Sequence, residues 1–352
     1  MNNPLLLLET LAQTHTLTLD AYETLIAAQD EALAARAAQL ADAVRREIYG
    51  TAVFIRGLIE VGNVCRNDCL YCGIRRSNSA CERYVLTDEQ ILGCCAEGHA
   101  LGFRTFVLQG GEGVFPVDRI CRVVSAIRQE YPDCAITLSL GEYGTGDYQR
   151  MFDAGANRYL LRHETADKSH YERLHPAGMS FDNRMRCLAD LKAIGFQVGC
   201  GFMVGSPFQA TATLAKDLKF IETFQPDMCG IGPFIPQKDT PFHAYPPGTA
   251  AQTIYLLSLI RLIRPDILLP ATTALGTIAP DGREKGILAG ANVVMPNLSP
   301  LNVRAKYALY DNKISTGDES AQSKRSLEKR MAAIGFQIVT ARGDIIRTTP
   351  KS

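Results

Sequence analysis

Several features that would place the chain in a familiar class are absent from its sequence. The 352 residues carry no excess charge, because lysine plus arginine and aspartate plus glutamate each number 37. A chain without net charge has no field that recruits nucleic acid or an anionic membrane, so we expect neither as a partner. The N-terminal apolar run, Leu5 to Leu8, follows no basic segment and is too short for a signal peptide or a membrane span. No linker rich in proline, glycine and serine divides the chain.

Cysteine, by contrast, is frequent. Eleven cysteines in a chain without a secretion signal are typical of a reducing compartment, so we expect a cytoplasmic protein. Free cysteine commonly packs as a small apolar residue. We assign that role to the cysteines outside the motif described next, which are Cys81, Cys94, Cys95, Cys121, Cys134, Cys187, Cys200 and Cys229.

The remaining three cysteines, Cys65, Cys69 and Cys72, are spaced C-x3-C-x2-C just after an apolar run. Thiolates hold iron–sulfur clusters, normally four to a [4Fe–4S] cube, so three would leave one iron open. An open coordination position is typical of a catalytic metal site. The alternatives are a zinc knuckle and three ordinary buried thiols. Zinc would usually need a fourth ligand with its own spacing, and Cys81 has no C-x2-C partner, so we favour the cluster.

The apolar pattern predicts an α/β fold, a complete (β/α)8 TIM-type barrel with an N-terminal helical extension. Residues 4–48 predict helices with a break near Thr14 to Thr18. From Thr51, short apolar runs alternate with amphipathic segments, which indicates βαβ units and a parallel sheet. We expect a helical cap over 1–50, the barrel over 51–335 and a C-terminal tail over 336–352. The predicted strands lie near 53–60, 104–108, 135–139, 157–161, 198–203, 228–232, 267–270 and 291–294, and the predicted helices near 88–102, 117–131, 146–154, 180–194, 211–224, 250–264, 282–289 and 319–334.

Polar and glycine-rich residues follow the predicted strands, where the active site of such a barrel gathers. Strand alternation directs Thr137 and Ser139 to one face, and a polar ligand would satisfy hydroxyls that point into a barrel. Arg162 could pair a carboxylate, whereas alternation turns its neighbour His163 away and favours a structural role. Turns, capping hydroxyls and surface salt bridges are the alternatives for these positions.

The cysteine spacing, with an aromatic residue before the last cysteine, resembles the radical S-adenosylmethionine (SAM) superfamily. The strings VCRNDCLYCGIRRSN, RYLLRHETA, GIGPFIPQKDTPF, PATTALGTI and GANVVMPN resemble, more narrowly, the HydE family of [FeFe]-hydrogenase maturases. The resemblance covers about residues 50–310 and implies one [4Fe–4S] cluster on Cys65, Cys69 and Cys72, with SAM chelated at the open iron and cleaved reductively to a 5′-deoxyadenosyl radical.

The resemblance also implies two sets of binding residues. The cofactor set comprises Tyr71, Gln109, Gly110, Gly111, Glu112, Thr137, Ser139, Arg162, Glu164, Arg184 and Met203. The substrate set comprises Met228, Thr272, Thr273, Met295, Tyr307 and Tyr310. Some HydE proteins carry a second cluster on cysteines near the C-terminus, but residues 314–322 contain none, so we expect a single cluster.

The function implied is assembly of the diiron subcluster of the hydrogenase active site. The implied partners are a small-molecule substrate, cysteine-derived or an iron-bound thiolate, an electron donor such as ferredoxin or flavodoxin, and other hydrogenase maturases. One alternative is a sister radical SAM enzyme of the methylornithine synthase or biotin synthase type. Arg162-His163-Glu164 and Thr272-Thr273 favour HydE over both. A second alternative is a carrier that only delivers iron, against which the polar strand ends argue.

Overall fold

Three helices precede the first strand in the computed structural model, which describes residues 3–314 and 320–347. They are α1 (Pro4–Thr14), α2 (Leu19–Ala27) and α3 (Glu31–Tyr49). Each begins where a polar side chain accepts a hydrogen bond from the first helical turn, namely that of Asn3, Thr18 or Asp30. The expected break after Thr14 is present, and the cap at Asp30 adds a second one. These helices pack outside the sheet, α2 against residues 211–224 and α3 against residues 250–263.

All paired strands in the described residues run parallel. The strands are β1 (Ala52–Ile55), β2 (Gly57–Gly62), β3 (Thr105–Gly110), β4 (Ala135–Ser139), β5 (Arg158–Leu160), β6 (Gln197–Cys200), β7 (Met203–Val204), β8 (Met228–Cys229), β9 (Gly232–Pro233), β10 (Val293–Val294) and β11 (Gln337–Val339). They form a six-stranded sheet in the order β2-β3-β4-β5-β6-β8, a three-stranded sheet β10-β1-β11 and the pair β7-β9. The predicted parallel α/β sheet is confirmed. The predicted closure into an eight-stranded barrel is not shown, since these ladders do not form one closed ring among the described residues.

Single parallel bridges extend the pairing beyond the six-stranded sheet. They join Met228 to Leu268, Pro270 to Val293, and Leu58 to Asn297. The short strands near 268–270 and 293–297 therefore lie between β8 and β2, the two edges of the sheet.

The later helices lie close to their expected positions. They are α4 (Asp88–Ala100), α5 (Val117–Glu130), α6 (Thr145–Asp153), α7 (Lys168–Leu174), α8 (Phe181–Ile194), α9 (Thr211–Phe224), α10 (Ala250–Ile263), α11 (Thr273–Ile278), α12 (Gly282–Leu288), α13 (Leu301–Arg304) and α14 (Ser320–Ala333). Thr87 and Gln90 form the reciprocal hydrogen bonds of a capping box at the start of α4. The sequence pattern did not indicate α7, α11 and α13, because one or two turns are too short to display a helical period. No helix in the described ranges is long and apolar enough to cross a bilayer.

Strand alternation separates an apolar outer layer from a polar interior. Ile59, Leu108 and Leu138 belong to the large hydrophobic core between the strands and the helices. Their neighbours Gln109 and Ser139 point the other way and line a cavity. The strands thus present their polar side chains to a common interior.

The chain end covers the amino-terminal side of the strands. Residues 337–339, which the sequence places in a C-terminal tail, form β11 and pair with β1. The side chain of Thr105 at the start of β3 donates to Arg342 O at 2.7 Å, and Arg158 at the start of β5 pairs with Asp344 at 2.7 Å. Residues 315–319, within the segment expected to hold no second cluster, lie outside the described residues.

Candidate active site

A cavity of about 330 Å³ lies at the carboxyl ends of the strands. Most of the residues expected from the sequence line it. They are Cys65, Cys69, Tyr71, Cys72, Gln109, Gly110, Gly111, Glu112, Ser139, Arg162, Glu164, Arg184, Met203, Thr272, Tyr307 and Tyr310. Four others, Thr137, Met228, Thr273 and Met295, are not on its lining.

The cysteine loop follows β2 and is held in place by groups other than its thiols. Asp68 accepts two hydrogen bonds from Arg75, at 2.8 and 2.7 Å, and one from the backbone of Ser77 at 3.0 Å. The Arg83 guanidinium donates to the carbonyls of Asn63 and Ile74, among others, at 2.7 and 2.8 Å. These hydrogen bonds hold the loop through groups other than the three thiols.

The three thiols form a donor set that suits an iron–sulfur cluster. Cys65, Cys69 and Cys72 are all free and partly buried, and all three line the same cavity. Burial raises the pKa of Cys69 well above its ordinary value and that of Cys72 to about 12. Thiols in this setting ionise readily only when a cation compensates the thiolate charge. The convergence of three thiols on one cavity fits a thiolate-ligated metal group.

Glycines bring the strand ends close to the cysteine loop. Gly111 follows β3 and donates from its backbone to Gly62 O at 3.0 Å. A Cβ added at Gly111 would lie 2.2 Å from Val64 O, so only glycine fits there. Gly141 has φ of +94°, and a Cβ added there would lie 2.2 Å from Cγ of Glu112. The Gly111 backbone therefore lies directly against the cysteine loop, and the Gly141 backbone lies against the Glu112 side chain.

Arg184 connects the carboxylates of the site. Its side chain is 9% exposed, which excludes the surface salt bridge considered for it from the sequence. Its Nε lies 2.5 Å from an Oε atom of Glu142, and its Nη2 lies 3.9 Å from one of Glu112. It also donates to Arg162 O at 2.7 Å. Burial alone would lower its pKa, but the electrostatic effects of Tyr171, Glu142 and Glu112 raise the pKa above the ordinary value. Arg184 stays charged.

The Arg162 and Glu164 side chains, which follow β5, face each other across the cavity wall. Nε of Arg162 lies 3.0 Å from Oε1 of Glu164. Each group can instead turn to a ligand of opposite charge, a carboxylate for Arg162 and an ammonium or hydroxyl for Glu164. The tip of Tyr71 lies 3.1 Å from Nε2 of His175, which fixes its ring beside the last cysteine.

The residues expected around the substrate divide into two groups. Thr272 lines the cavity and also caps α11, while the hydroxyl of Thr273 accepts from Arg283 at 3.3 Å. Met228 and Met295 pack in an apolar cluster that also holds Phe54, Leu268 and Val293.

The hydroxyl of Thr137, in the cofactor set, is buried and has no hydrogen-bond partner among the described residues, so a polar ligand atom would satisfy it.

The sequence interpretation missed two charged residues, Arg56 between β1 and β2 and Glu60 in β2. Nη1 of Arg56 donates to the sulfur of Met228 at 2.9 Å, while its Nε and Nη2 are buried without partners in the described parts of the chain. Glu60 is buried, accepts from Asn297 at 2.9 Å and binds Lys313. Charged residues four apart in an otherwise apolar run were the available signal, because strand alternation places both on the interior face.

Similarity to known proteins identifies the family of the chain. A sequence model of the radical SAM superfamily matches residues 59–221. The chain is 43% identical over 298 residues to the [FeFe] hydrogenase maturase subunit HydE of Thermotoga maritima, covering 84% of this chain and 85% of that protein. It is 28% identical over 297 residues to 3-methylornithine synthase of Methanosarcina acetivorans, covering 84% and 82%.

Solved structures show the same fold. The crystal structure of methylornithine synthase superposes with a TM-score of 0.82 at 25% identity, over 95% of this chain and 97% of the other. The crystal structure of HydG, a maturase of the [FeFe]-hydrogenase, gives 0.79 at 20% identity, over 95% and 75%, and supports the fold alone. On its identity to the Thermotoga protein and its superfamily match, this chain belongs to the HydE family of radical SAM enzymes, which use a [4Fe–4S] cluster and S-adenosylmethionine.

Proposed function

We propose that this protein cleaves SAM reductively and acts in assembly of the diiron subcluster of the [FeFe]-hydrogenase active site. The observation that carries the proposal is one cavity that joins Cys65, Cys69 and Cys72 to the glycine turn at Gly111 and the charged pair at Arg162. A chain of the HydE family with this cavity has both the metal ligands and the polar groups that a bound SAM requires.

We assign one [4Fe–4S] cluster to Cys65, Cys69 and Cys72, with the fourth iron open to SAM. The cluster, when bound, supplies the electron that cleaves SAM into methionine and a 5′-deoxyadenosyl radical. The three thiolates hold it at the rim of the cavity. The loop scaffold around Asp68 and Arg83 keeps the thiolates in register, because its hydrogen bonds do not involve sulfur.

The polar residues around the cavity bind and orient SAM in this proposal. Glu112 and the Gly111 backbone accept the methionine ammonium, and Arg162 or Arg184 pairs its carboxylate. Ser139 and Glu164 accept ribose hydroxyls. Gln109, Gly110, Thr137, Tyr71 and Met203 complete the cofactor side. Holding the reacting groups in a fixed geometry removes much of the entropic barrier of the reaction.

The substrate is proposed to lie deeper between the strands. Thr272, Thr273, Tyr307 and Tyr310 supply hydroxyls there, and Met228 and Met295 supply apolar contact. We further propose a complete (β/α)8 barrel over 51–335, capped by 1–50, with 336–352 as the C-terminal segment. The bridges at Leu268, Pro270 and Asn297 support closure. A closed barrel would exclude water from a radical intermediate.

The proposed partners follow from this chemistry. The substrate would be a cysteine-derived small molecule or an iron-bound thiolate. A ferredoxin or flavodoxin would supply electrons, and other hydrogenase maturases would supply or receive the product. We place these events in the cytoplasm.

Anaerobic reconstitution tests the proposal. The loaded protein with dithionite and SAM should release 5′-deoxyadenosine, which a pure iron carrier would not. Adding it to a maturation mixture that contains apo-hydrogenase and the other maturases should restore hydrogen evolution. If hydrogenase stays inactive while an added amino acid is rearranged in a SAM-dependent reaction, the protein is a methylornithine synthase-type enzyme instead.

A further inference from the structure

Behind the Arg162–Glu164 pair lies a buried histidine–aspartate contact that the mechanism above does not use. His163 comes from the segment after β5 and Asp217 from α9, and both side chains are fully buried. The His163 Nε2 atom lies 3.2 Å from Oδ1 of Asp217. The Gly201 N–H donates to Nδ1 of His163 at 3.3 Å, so the ring proton is on Nε2 and is donated to Asp217.

One carboxylate oxygen holds both ends of the turn. Oδ1 of Asp217 also accepts the backbone N–H of Ala166 at 2.5 Å. The contact to His163 fixes the beginning of segment 163–166, and the contact to Ala166 fixes its end. A single side chain on α9 therefore determines where this segment lies.

Glu164, between the two anchors, has an unusual backbone. Its φ is +64°, a left-handed conformation that costs a non-glycine residue roughly 1–3 kcal/mol. Its N–H donates to Gly201 O at 2.9 Å, and its carbonyl accepts from Met203 at 3.3 Å. Such a conformation persists only where surrounding contacts over-determine it. The two bonds to Asp217 and the two to the Gly201–Met203 segment supply that constraint.

Burying the polar His163–Asp217 pair costs more free energy than packing apolar side chains there would. Asp217 lies on the face of α9 that buries Leu214, Leu218 and Ile221. Burial lowers the pKa of His163 to about 3 and raises that of Asp217. An apolar pair of similar volume would fill the same space without the desolvation cost of two polar groups. A role in positioning the neighbouring residues Arg162 and Glu164 would explain why the polar pair is present.

We propose that His163 and Asp217 are positioning residues for SAM: they hold Arg162 and Glu164 at the cavity wall without touching the cofactor themselves. The inference rests on the proposed SAM site. Neither His163 nor Asp217 is among the residues that line the cavity.

The test compares three variants with wild type. Asp217→Leu removes the oxygen that accepts both hydrogen bonds, at similar volume, and should raise the Kd and KM for SAM about tenfold, since two hydrogen bonds are lost. Asp217→Asn keeps an acceptor oxygen and should bind SAM as wild type does. Asp227→Leu is the matched control, because Asp227 is a buried aspartate that accepts the backbone N–H of Val198 at 3.0 Å, away from the cavity.

Hydrogen–deuterium exchange on cluster-free protein gives a second readout. Residues 162–166 should exchange faster in Asp217→Leu and unchanged in Asp227→Leu. If Asp217→Leu does not fold, His163→Leu removes one of the two hydrogen bonds from the other partner and should change SAM affinity and exchange in the same direction, by less. Equal SAM affinity in wild type and Asp217→Leu would overturn the inference, and so would an asparagine variant as weak as Asp217→Leu or a control Asp227→Leu that loses as much affinity. Absence of SAM binding by loaded wild type would instead overturn the proposed function.

Discussion

Replacing Gly111 by alanine is a minimal perturbation of the site with a calculable consequence. Ordinary Cβ contacts lie beyond 3.0 Å, and a Cβ at this position would lie 2.2 Å from Val64 O and 2.8 Å from Cβ of Cys65. Both obstructing groups belong to the cysteine loop, and one of them is backbone. The loop must therefore move by at least 0.8 Å, the difference between 3.0 and 2.2 Å.

That displacement should impair catalysis more than stability. Overpacking of this kind costs about 1–3 kcal/mol of folding free energy. A misplacement near 1 Å in an active site can cost on the order of 10²-fold in rate. We expect Gly111→Ala to fold, to retain some iron, and to release 5′-deoxyadenosine on the order of 10²-fold more slowly.

The assay measures iron content and 5′-deoxyadenosine release after anaerobic reconstitution. Gly93→Ala is the matched control, because Gly93 is exposed within α4 and an added Cβ meets nothing within 4 Å. Alanine there should raise the free energy of unfolding by roughly 0.5–1 kcal/mol and leave turnover unchanged. Wild-type turnover in Gly111→Ala would refute the close approach between the glycine turn and the cysteine loop.

Three further predictions follow from single contacts. Cys69→Ala should abolish cluster binding and SAM cleavage together. Cys94 is a buried thiol on α4, and Cys94→Ala should abolish neither. SAM cleavage retained by Cys69→Ala would reject the ligand assignment. Arg184→Lys should weaken SAM binding about tenfold by calorimetry, because lysine cannot reach Glu142 and Arg162 O together; unchanged affinity would contradict this. Burial alone would raise the pKa of Asp344, but Arg158 lowers it to about 2. The contribution of the Asp344–Arg158 pair to the free energy of unfolding is fully present above the unfolded-state pKa of about 4 and is lost as pH falls toward 2. The destabilisation caused by Asp344→Asn should therefore shrink between pH 6 and pH 3 in chemical denaturation, and an equal effect at both values would oppose the assignment.

Local patterns in the sequence predicted the parts of the molecule that depend on local physics. The helix start predicted near residue 88 and the alternation that turns Ser139 inward both depend on neighbours within a few residues. The residues of the cavity converge because parallel strands end at the same side. The sequence predicts Arg184 as a carboxylate-binding candidate, but its burial against Glu142 depends on packing between distant segments.

Other features depend on contacts that no local pattern encodes. Asp217 is one polar residue on an apolar helix face, and its role is visible only when α9 lies against residues 163–166. The pairing of β11 with β1 joins segments nearly 290 residues apart, from Ala52 to Gln337. Short helices such as α7 contain too few turns to show a period.

The central claim is a cluster on three cysteines with an iron that SAM can reach. Electron paramagnetic resonance of the reduced, reconstituted protein tests it most directly. We expect a [4Fe–4S]⁺ signal that changes when SAM is added, in wild type and in Gly93→Ala. A signal identical with and without SAM, or a metal centre coordinated by four protein ligands, would contradict it.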